Sequence, residues 1–276
     1  HASTDLRAGD NGSHNARQIV YGMNGYSDRL VVAAGHTLRG RGLIGHNGSL
    51  QIDNAGLIRA EAAGLLTLQG INGVVPPRTH AIVNTGLLQA VGGATLALNG
   101  SVDNTGGVIE AGDGAFVHLG AGATGGLLRS TGSGVIRSVS TAIGHPLLDG
   151  GVVLQGHLQV VAGSRLGLGG TVTNNGLIDI GTTVAGVGAA NGVTDLRVFS
   201  DNLIDGTGRI VLNDRQAARN TITGYANVIG RTPVLTLGAG QSVSGAGILG
   251  GSSTSARTLD VVNQGTILAD GADGMV

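Results

Sequence analysis

The stretch IDNAGLIRA, residues 52–60, decides the fold because it keeps returning. It comes back as IVNTGLLQA at 82–90, VDNTGGVIEA at 102–111, VTNNGLIDI at 172–180 and VVNQGTILA at 261–269. The shared element is Asn-x-Gly followed by apolar residues, at Asn54 and Gly56, Asn84 and Gly86, Asn104 and Gly106, Asn174 and Gly176, and Asn263 and Gly265. Gly and Asn adopt φ > 0 at the least steric cost, so each pair reads as a corner of the chain. The residues that follow, such as Leu57 and Ile58, read as a strand entering the core. An Asn repeated at equivalent corners can also bond its amide to the backbone of the neighbouring copy and build an Asn ladder.

Around these corners the sequence reads as short strands. LLTLQG (65–70), ATLALNG (94–100), AFVHLG (115–120), GVVLQG (151–156), HLQVVAG (157–163) and VLTLGAG (234–240) are brief alternating runs bounded by Gly, Asn or Ser. The 53 glycines would each cost a helix roughly 0.5–1 kcal/mol, which disfavours helix nearly everywhere. NDRQAARN at 213–220 is the best helical candidate, of one or two turns. With 41% hydrophobic residues, mainly Val, Leu, Ile and Ala, the chain is no disordered glycine-rich linker.

Longer repeats support this. GATLALNGSVDNTG (93–106) matches GSRLGLGGTVTNNG (163–176) at seven of fourteen positions without a gap. HTLRGRGLIG (36–45) matches QSVSGAGILG (241–250), and each runs on to an Asn-x-Gly. The five Asn are spaced by 30, 20, 70 and 89 residues, which excludes a solenoid of fixed period. A right-handed parallel β-helix tolerates such irregularity, because loops of any length can leave its corners. The expected architecture is therefore all-β: a right-handed parallel β-helix of roughly a dozen irregular coils, about 60 Å long at the strand spacing of a sheet. Residues 1–29 are expected to form an irregular N-terminal segment or cap, and residues 30–276 a single shaft.

Composition narrows the function. Net charge is −1, only 12% of residues are charged, and the 16 arginines form no basic run, so nucleic acid and anionic membranes are not expected partners. Five aromatic residues, Phe116, Phe199, Tyr21, Tyr26 and Tyr225, are too few for a base-stacking platform. There is no Cys, hence no disulfide or thiolate metal site. No apolar run reaches about 18 residues, so no membrane-spanning helix is expected. The chain begins at His1, as expected of a mature chain or an excised segment.

Several motifs invite a chemical reading. GRGLIG (40–45) and GAGILG (245–250) satisfy G-x-G-x-x-G, but turn and strand residues follow instead of the helix a dinucleotide needs. DGADG (270–274) and EAGDG (110–114) approach calcium-binding repeats only singly. Of the histidines, His36, His46 and His157 sit beside turns and His118 within a strand, with no zinc-ligand spacing. NGS occurs at 11–13, 47–49 and 99–101, where turns explain it. For a glycan-processing enzyme, the best cluster is Asp195, Asp201, Asp205 and Asp214 with Arg197, Arg209 and Arg215. A hydrolase needs two such carboxylates facing one groove, about 5–9.5 Å apart. The chain has no Lys, and Glu61 and Glu110 are its only glutamates. No catalytic residue, cofactor or metal is expected.

The phrases LRGRGLIG, LQIDNAGLIRAEAAGLLTLQG, LLQAVGGATLALNGSVDNTGGVIEAGDGAFVHL and LLRSTGSGVIRS resemble the strand repeats of large secreted bacterial surface proteins, the filamentous-haemagglutinin-like and autotransporter-passenger families. The resemblance covers roughly residues 30–270. It implies a right-handed β-helical shaft exported to the cell surface, serving adhesion, aggregation or biofilm. The Asn-Pro-Asn-Gly motif of the two-partner secretion domain is absent. The expected function is that of an extracellular structural or adhesive protein, not an enzyme, that self-associates end to end or forms part of a longer fibre, with a host or matrix glycan as its candidate partner. The alternative is a β-helical polysaccharide-processing enzyme or a glycan-binding module.

Overall fold

The computed structural model describes residues 3–6, 19–20, 22, 28–46, 50–70, 80–139, 145–187, 192–213, 220–225, 231–251 and 258–271. The helix candidate at 214–219, Tyr21, Tyr26, Asp214, Arg215, the NGS sequences at 11–13 and 47–49 and the end of DGADG lie outside them. Among the described residues the protein is all-β, without an α-helix, and its strands pair in parallel. The antiparallel exception is an isolated bridge between Val184 and Val187. The chain divides into two compact units, His1–Ile136 and Arg137–Val276.

In the first unit a repeat of three strands recurs, typified by Gln51–Asn54, Leu57–Ala60 and Leu65–Leu68. The first two belong to one sheet and the third to a second sheet. The next copies are Ile82–Asn84, Leu87–Ala90 and Thr95–Leu98, then Val102–Asp103, Val108–Ala111 and Phe116–Leu119. Each strand pairs in register with its counterpart in the adjacent copy, so like positions form columns. Ile52, Ile82 and Val102 make one, Ile58, Leu88, Ile109 and Leu128 another, and Leu66, Leu96 and Val117 a third. All of these side chains are fully buried. Alternation along each strand sends every second residue inward, which is why β-branched and Leu side chains suffice to fill the core.

Two stretches within the segment expected to be irregular join these sheets. Ser3–Leu6 pairs with Thr37–Gly40, and Ile19–Val20 with Leu43–Ile44.

The second unit has the same construction with longer strands. Arg165–Asn174 and Thr194–Asp205 pair along most of their length, with a register shift between Leu168 and Gly170. The second sheet of this unit stacks His157–Val161, Leu177–Thr182, Arg209–Leu212, Ser242–Gly245 and Thr266–Leu268. Ile178, Ile210 and Val243 form its buried column.

Here the repeat occupies a different place. In the first unit, Asn54 joins two strands of one sheet, Gln51–Asn54 and Leu57–Ala60. In the second unit, Asn174 joins Arg165–Asn174 in one sheet to Leu177–Thr182 in the other. Asn263, between Asp260–Asn263 and Thr266–Leu268, also joins the two sheets. The sequence match at an offset of 70 therefore aligns strands one step out of phase within the three-strand repeat.

Candidate functional site

The repeated corners build a buried column of amides. Asn54, Asn84 and Asn104 are at most 1% exposed. Asn54 Nδ2 donates to Asn84 Oδ1 at 2.7 Å, and Asn84 Nδ2 donates to Asn104 Oδ1 at 2.6 Å. The same nitrogens also donate to backbone carbonyls of the next copy, Leu87 O at 3.1 Å and Val108 O at 3.2 Å. An amide has both donor and acceptor, so one residue type repeats indefinitely along a stack without an orphaned group. The ladder runs from side chain to side chain as well as to the backbone.

The glycines act differently from the expected φ > 0 at every corner. Of the five, only Gly106 has positive φ, at +78°, and no Asn among the described residues does. Gly56, Gly86, Gly176 and Gly265 are required by close approach: a Cβ there would fall within 3.0 Å of a backbone carbonyl oxygen from the adjacent copy. Gly86 lies against Gly56 O, and Gly176 against Gly156 O. In VDNTGGVIEA this role belongs to Gly107, which abuts Asn84 O, while Gly106 is the inserted residue and has open space around it. The local signature of the corner is an N–H two residues on donating to the Asn side chain: Gly56 N to Asn54 at 3.2 Å, Gly176 N to Asn174 at 3.1 Å, Gly265 N to Asn263 at 3.0 Å. This motif is indifferent to which corner it occupies.

In the second unit the ladder changes its chemistry. Asn174, fully buried, donates to Gln241 Oε1 at 3.0 Å, and Gln241 Nε2 donates back to Asn174 O at 2.8 Å and to Asp205 O at 2.9 Å. The longer Gln side chain spans the intervening copy, where Gly206 to Gly208 offers no amide side chain. Asn263, exposed, makes only its local contact.

A second polar column lies on the outer face of the first unit. In register stand Arg59, Gln89, Glu110 and Arg129. Arg59 Nε donates to Gln89 Oε1 at 2.8 Å, and Gln89 Nε2 to Glu110 Oε1 at 2.6 Å. Arg129 pairs with the remaining oxygen of Glu110, its Nε at 2.7 Å. Glu61, the other glutamate, pairs with Arg39 at 3.8 Å.

The described aspartates of the candidate hydrolase cluster, Asp195, Asp201 and Asp205, lie along one strand rather than converging. Asp195 and Asp205 stand at opposite ends of the twelve-residue strand Thr194–Asp205. Asp195 is completely buried and saturated. Its Oδ1 accepts from Thr221 at 3.0 Å and Thr223 at 2.7 Å, and its Oδ2 accepts from Arg197 Nε at 2.9 Å. Arg197 Nη2 lies 2.7 Å from the same oxygen, an ion-pair distance without hydrogen-bond alignment, and its guanidinium covers the Tyr225 ring at 5.2 Å. A carboxylate held this way is acceptor-only and has no route to a substrate proton. Asp201 is exposed and forks onto Arg231, whose hydrogen bond holds its pKa below the ordinary carboxylate value. Beside Asp195, His145 meets Arg165 Nη1 at 3.2 Å. Burial, reinforced by the charges of Arg165 and Arg197, pushes its pKa down.

Asp179 forms a further cluster. Burial raises its pKa, but the His157 ring 3.5 Å away and hydrogen bonds from Thr182 and Asn213 outweigh this and hold it below the ordinary value. No group of three or more His, Asp or Glu suited to a metal ion occurs among the described residues.

A concave surface feature lies in the second unit. A groove of about 400 Å³ is lined by Asn175, Gly176, Leu177, Thr207, Arg209 and Ser242, among others. Leu177, Arg209 and Ser242 are register partners on three successive strands of one sheet. The enzyme reading singled out Arg209 by its nearness in sequence to the aspartates; the fold instead sets it over the corner glycines Gly176 and Gly208.

No family model, no curated protein and no solved structure matches this chain.

Proposed function

We propose that the chain is a structural or adhesive segment of an extracellular bacterial surface fibre, each unit wound as a right-handed parallel β-helix, the whole making roughly a dozen coils. It works without catalysis, cofactor or metal. One observation carries this reading: two columns of polar side chains in the first unit are spent on one another, level by level. Asn54, Asn84 and Asn104 inside, and Arg59, Gln89, Glu110 and Arg129 outside, bond to the copies above and below. Such columns tie successive levels together. The sequence resemblance to secreted surface repeats supports the same setting, in which the chain associates end to end or continues a longer fibre. An open end of parallel strands is a template for further pairing.

The test is to incubate the protein with acidic and neutral polysaccharides and assay for new reducing ends or unsaturated products, while measuring adhesion of protein-coated beads to bacterial and host cell surfaces. Adhesion without turnover is expected. Product formation refutes the non-enzymatic reading in favour of a polysaccharide-processing enzyme.

A further inference from the structure

The groove over Gly176 and Gly208 is marked by the polar groups it leaves unused. Most described arginines have a polar partner: Arg29 with Asp53, Arg39 with Glu61, Arg59 with Gln89, Arg129 with Glu110, Arg165 with His145, Arg197 with Asp195 and Arg231 with Asp201. Arg209 is exposed and its guanidinium has no partner among the described residues. The side chains beside it are also uncommitted in a particular sense. The backbone N–H of Thr207 can only donate, so the atom of Asn175 that it meets at 3.1 Å is Oδ1, which also accepts from Thr207 Oγ1 at 3.5 Å. This fixes the amide and leaves the Asn175 NH₂ free to donate. The Ser242 hydroxyl likewise has no partner among the described residues. No Asp or Glu lines the groove among the described residues.

A guanidinium, an oriented amide NH₂ and a hydroxyl, with no carboxylate to neutralise them, form a donor set for an anionic oxygen ligand. Arg209 and Ser242 stand on adjacent strands, with Leu177 on the strand beyond. Strands in a sheet are about 4.8 Å apart, comparable with the length of one pyranose ring. The side chains therefore repeat along the groove at the pitch of an extended sugar chain, with Leu177 offering an apolar surface for a ring face. We propose that this groove binds an extended acidic polysaccharide, a uronate carboxylate seating on Arg209 and neighbouring hydroxyls on Asn175, Thr207 and Ser242. This deepens the adhesive reading and rests on it.

The test uses the whole chain and hexagalacturonate as probe, followed by calorimetry and by amide shifts of Gly176, Gly208 and Gly240. The hexamer is expected to bind, more weakly as salt rises, and to move those amides. Arg209→Gln is expected to weaken binding about tenfold or more with an unchanged melting temperature. Arg41→Gln, at an exposed arginine of the first unit, is expected to leave binding unaltered. Ser242→Trp, which fills the groove, is expected to abolish binding. Absence of binding, equal binding by Arg209→Gln, or equal affinity for galacturonate monomer or inorganic sulfate would each overturn the proposal. Cleavage of the hexamer would instead refute the non-enzymatic function while leaving the groove assignment intact, and adhesion persisting in Arg209→Gln would refute only the groove as its basis.

Discussion

The amide column gives the sharpest mechanical prediction, and Asn84 is its centre. Replacing Asn84 with Ala removes three hydrogen bonds at once: the one accepted from Asn54 and those donated to Asn104 Oδ1 and Val108 O. The consequences differ by partner. Asn54 Nδ2 still reaches Leu87 O, so its loss is partial, whereas Asn104 Oδ1 is left buried without that donor. A lost buried hydrogen bond costs about 1 kcal/mol net, and an orphaned buried acceptor about 1–3 kcal/mol. The expected destabilisation is about 3–4 kcal/mol, measured by urea unfolding and by exchange of the Leu87 and Val108 amides. Asn84→Asp discriminates further. A carboxylate accepts from Asn54 but faces Asn104 Oδ1 with no proton to give, so the folded state favours the protonated acid and raises its pKa above the unfolded value. Its contribution is fully present below the unfolded pKa and is lost as pH rises through the folded pKa. Asn84→Asp should therefore approach wild-type stability near pH 4 and fall away towards pH 7, opposite to an ordinary paired aspartate. An Asn84→Ala cost under about 1 kcal/mol, or Asn84→Asp equal to wild type at pH 7, would refute the ladder as a stabilising device.

Three other expectations use different features. Gly86→Ala drives a Cβ into Gly56 O and should cost about 3 kcal/mol or more, whereas Gly106→Ala meets nothing within 4 Å and should cost about 1 kcal/mol for its positive φ; the reverse order in denaturant melts would refute the close-approach role. Asn202, 3% exposed, has both amide atoms unpartnered and shares its register with Gly170 and Leu235, so Asn202→Leu should stabilise by about 1–2 kcal/mol in the same melts, and a loss would show that the amide is needed. His145 has its pKa lowered from 6.5 by burial and then by Arg165 and Arg197, partly opposed by Asp195, so below that pH the unfolded chain binds a proton that the folded one resists. Stability should then decline as pH falls from about 6.5 to 5, and His145→Gln should flatten that slope; an unchanged slope would sink the assignment.

The sequence carried the strand character, the alternation and the corners, because a stacked parallel sheet writes them locally: Ile52, Asn54, Gly56 and Ile58 each report their own burial or contact. What it hid was phase. VDNTG and VTNNG look equivalent, yet Asn104 and Asn174 serve different corners of the three-strand repeat. The reason is physical. Each strand faces the same kind of aliphatic core and each corner needs the same Asn-to-N–H contact, so nothing in the local pattern distinguishes one corner from the next. The role of Gly107 was hidden for a related reason. One inserted residue gave Gly106 the expected spacing and Gly107 the contact. Asp195 and Arg197 read in sequence as members of a candidate hydrolase cluster, and only the fold shows Thr221 and Thr223 closing over the carboxylate.

Parallel in-register stacking also explains why the chain holds so few charges. Residues at like positions stand about 4.8 Å apart, so a charge repeated along a column meets its own image at every level. Apolar columns escape this, and amides escape it by donating on one side and accepting on the other, as Asn54, Asn84 and Asn104 do. On the outer face of the first unit Arg59 and Arg129 are separated by Gln89 and Glu110, and each meets a complementary atom, while Arg39, in register beside Arg59, pairs with Glu61. The same rule makes an unpaired charge conspicuous. Arg209 stands between Leu177 and Ser242, neither of which can neutralise it, in a surface where most described guanidinium groups meet a polar partner. A level that supplies a cation and withholds its partner has room for an anion from outside.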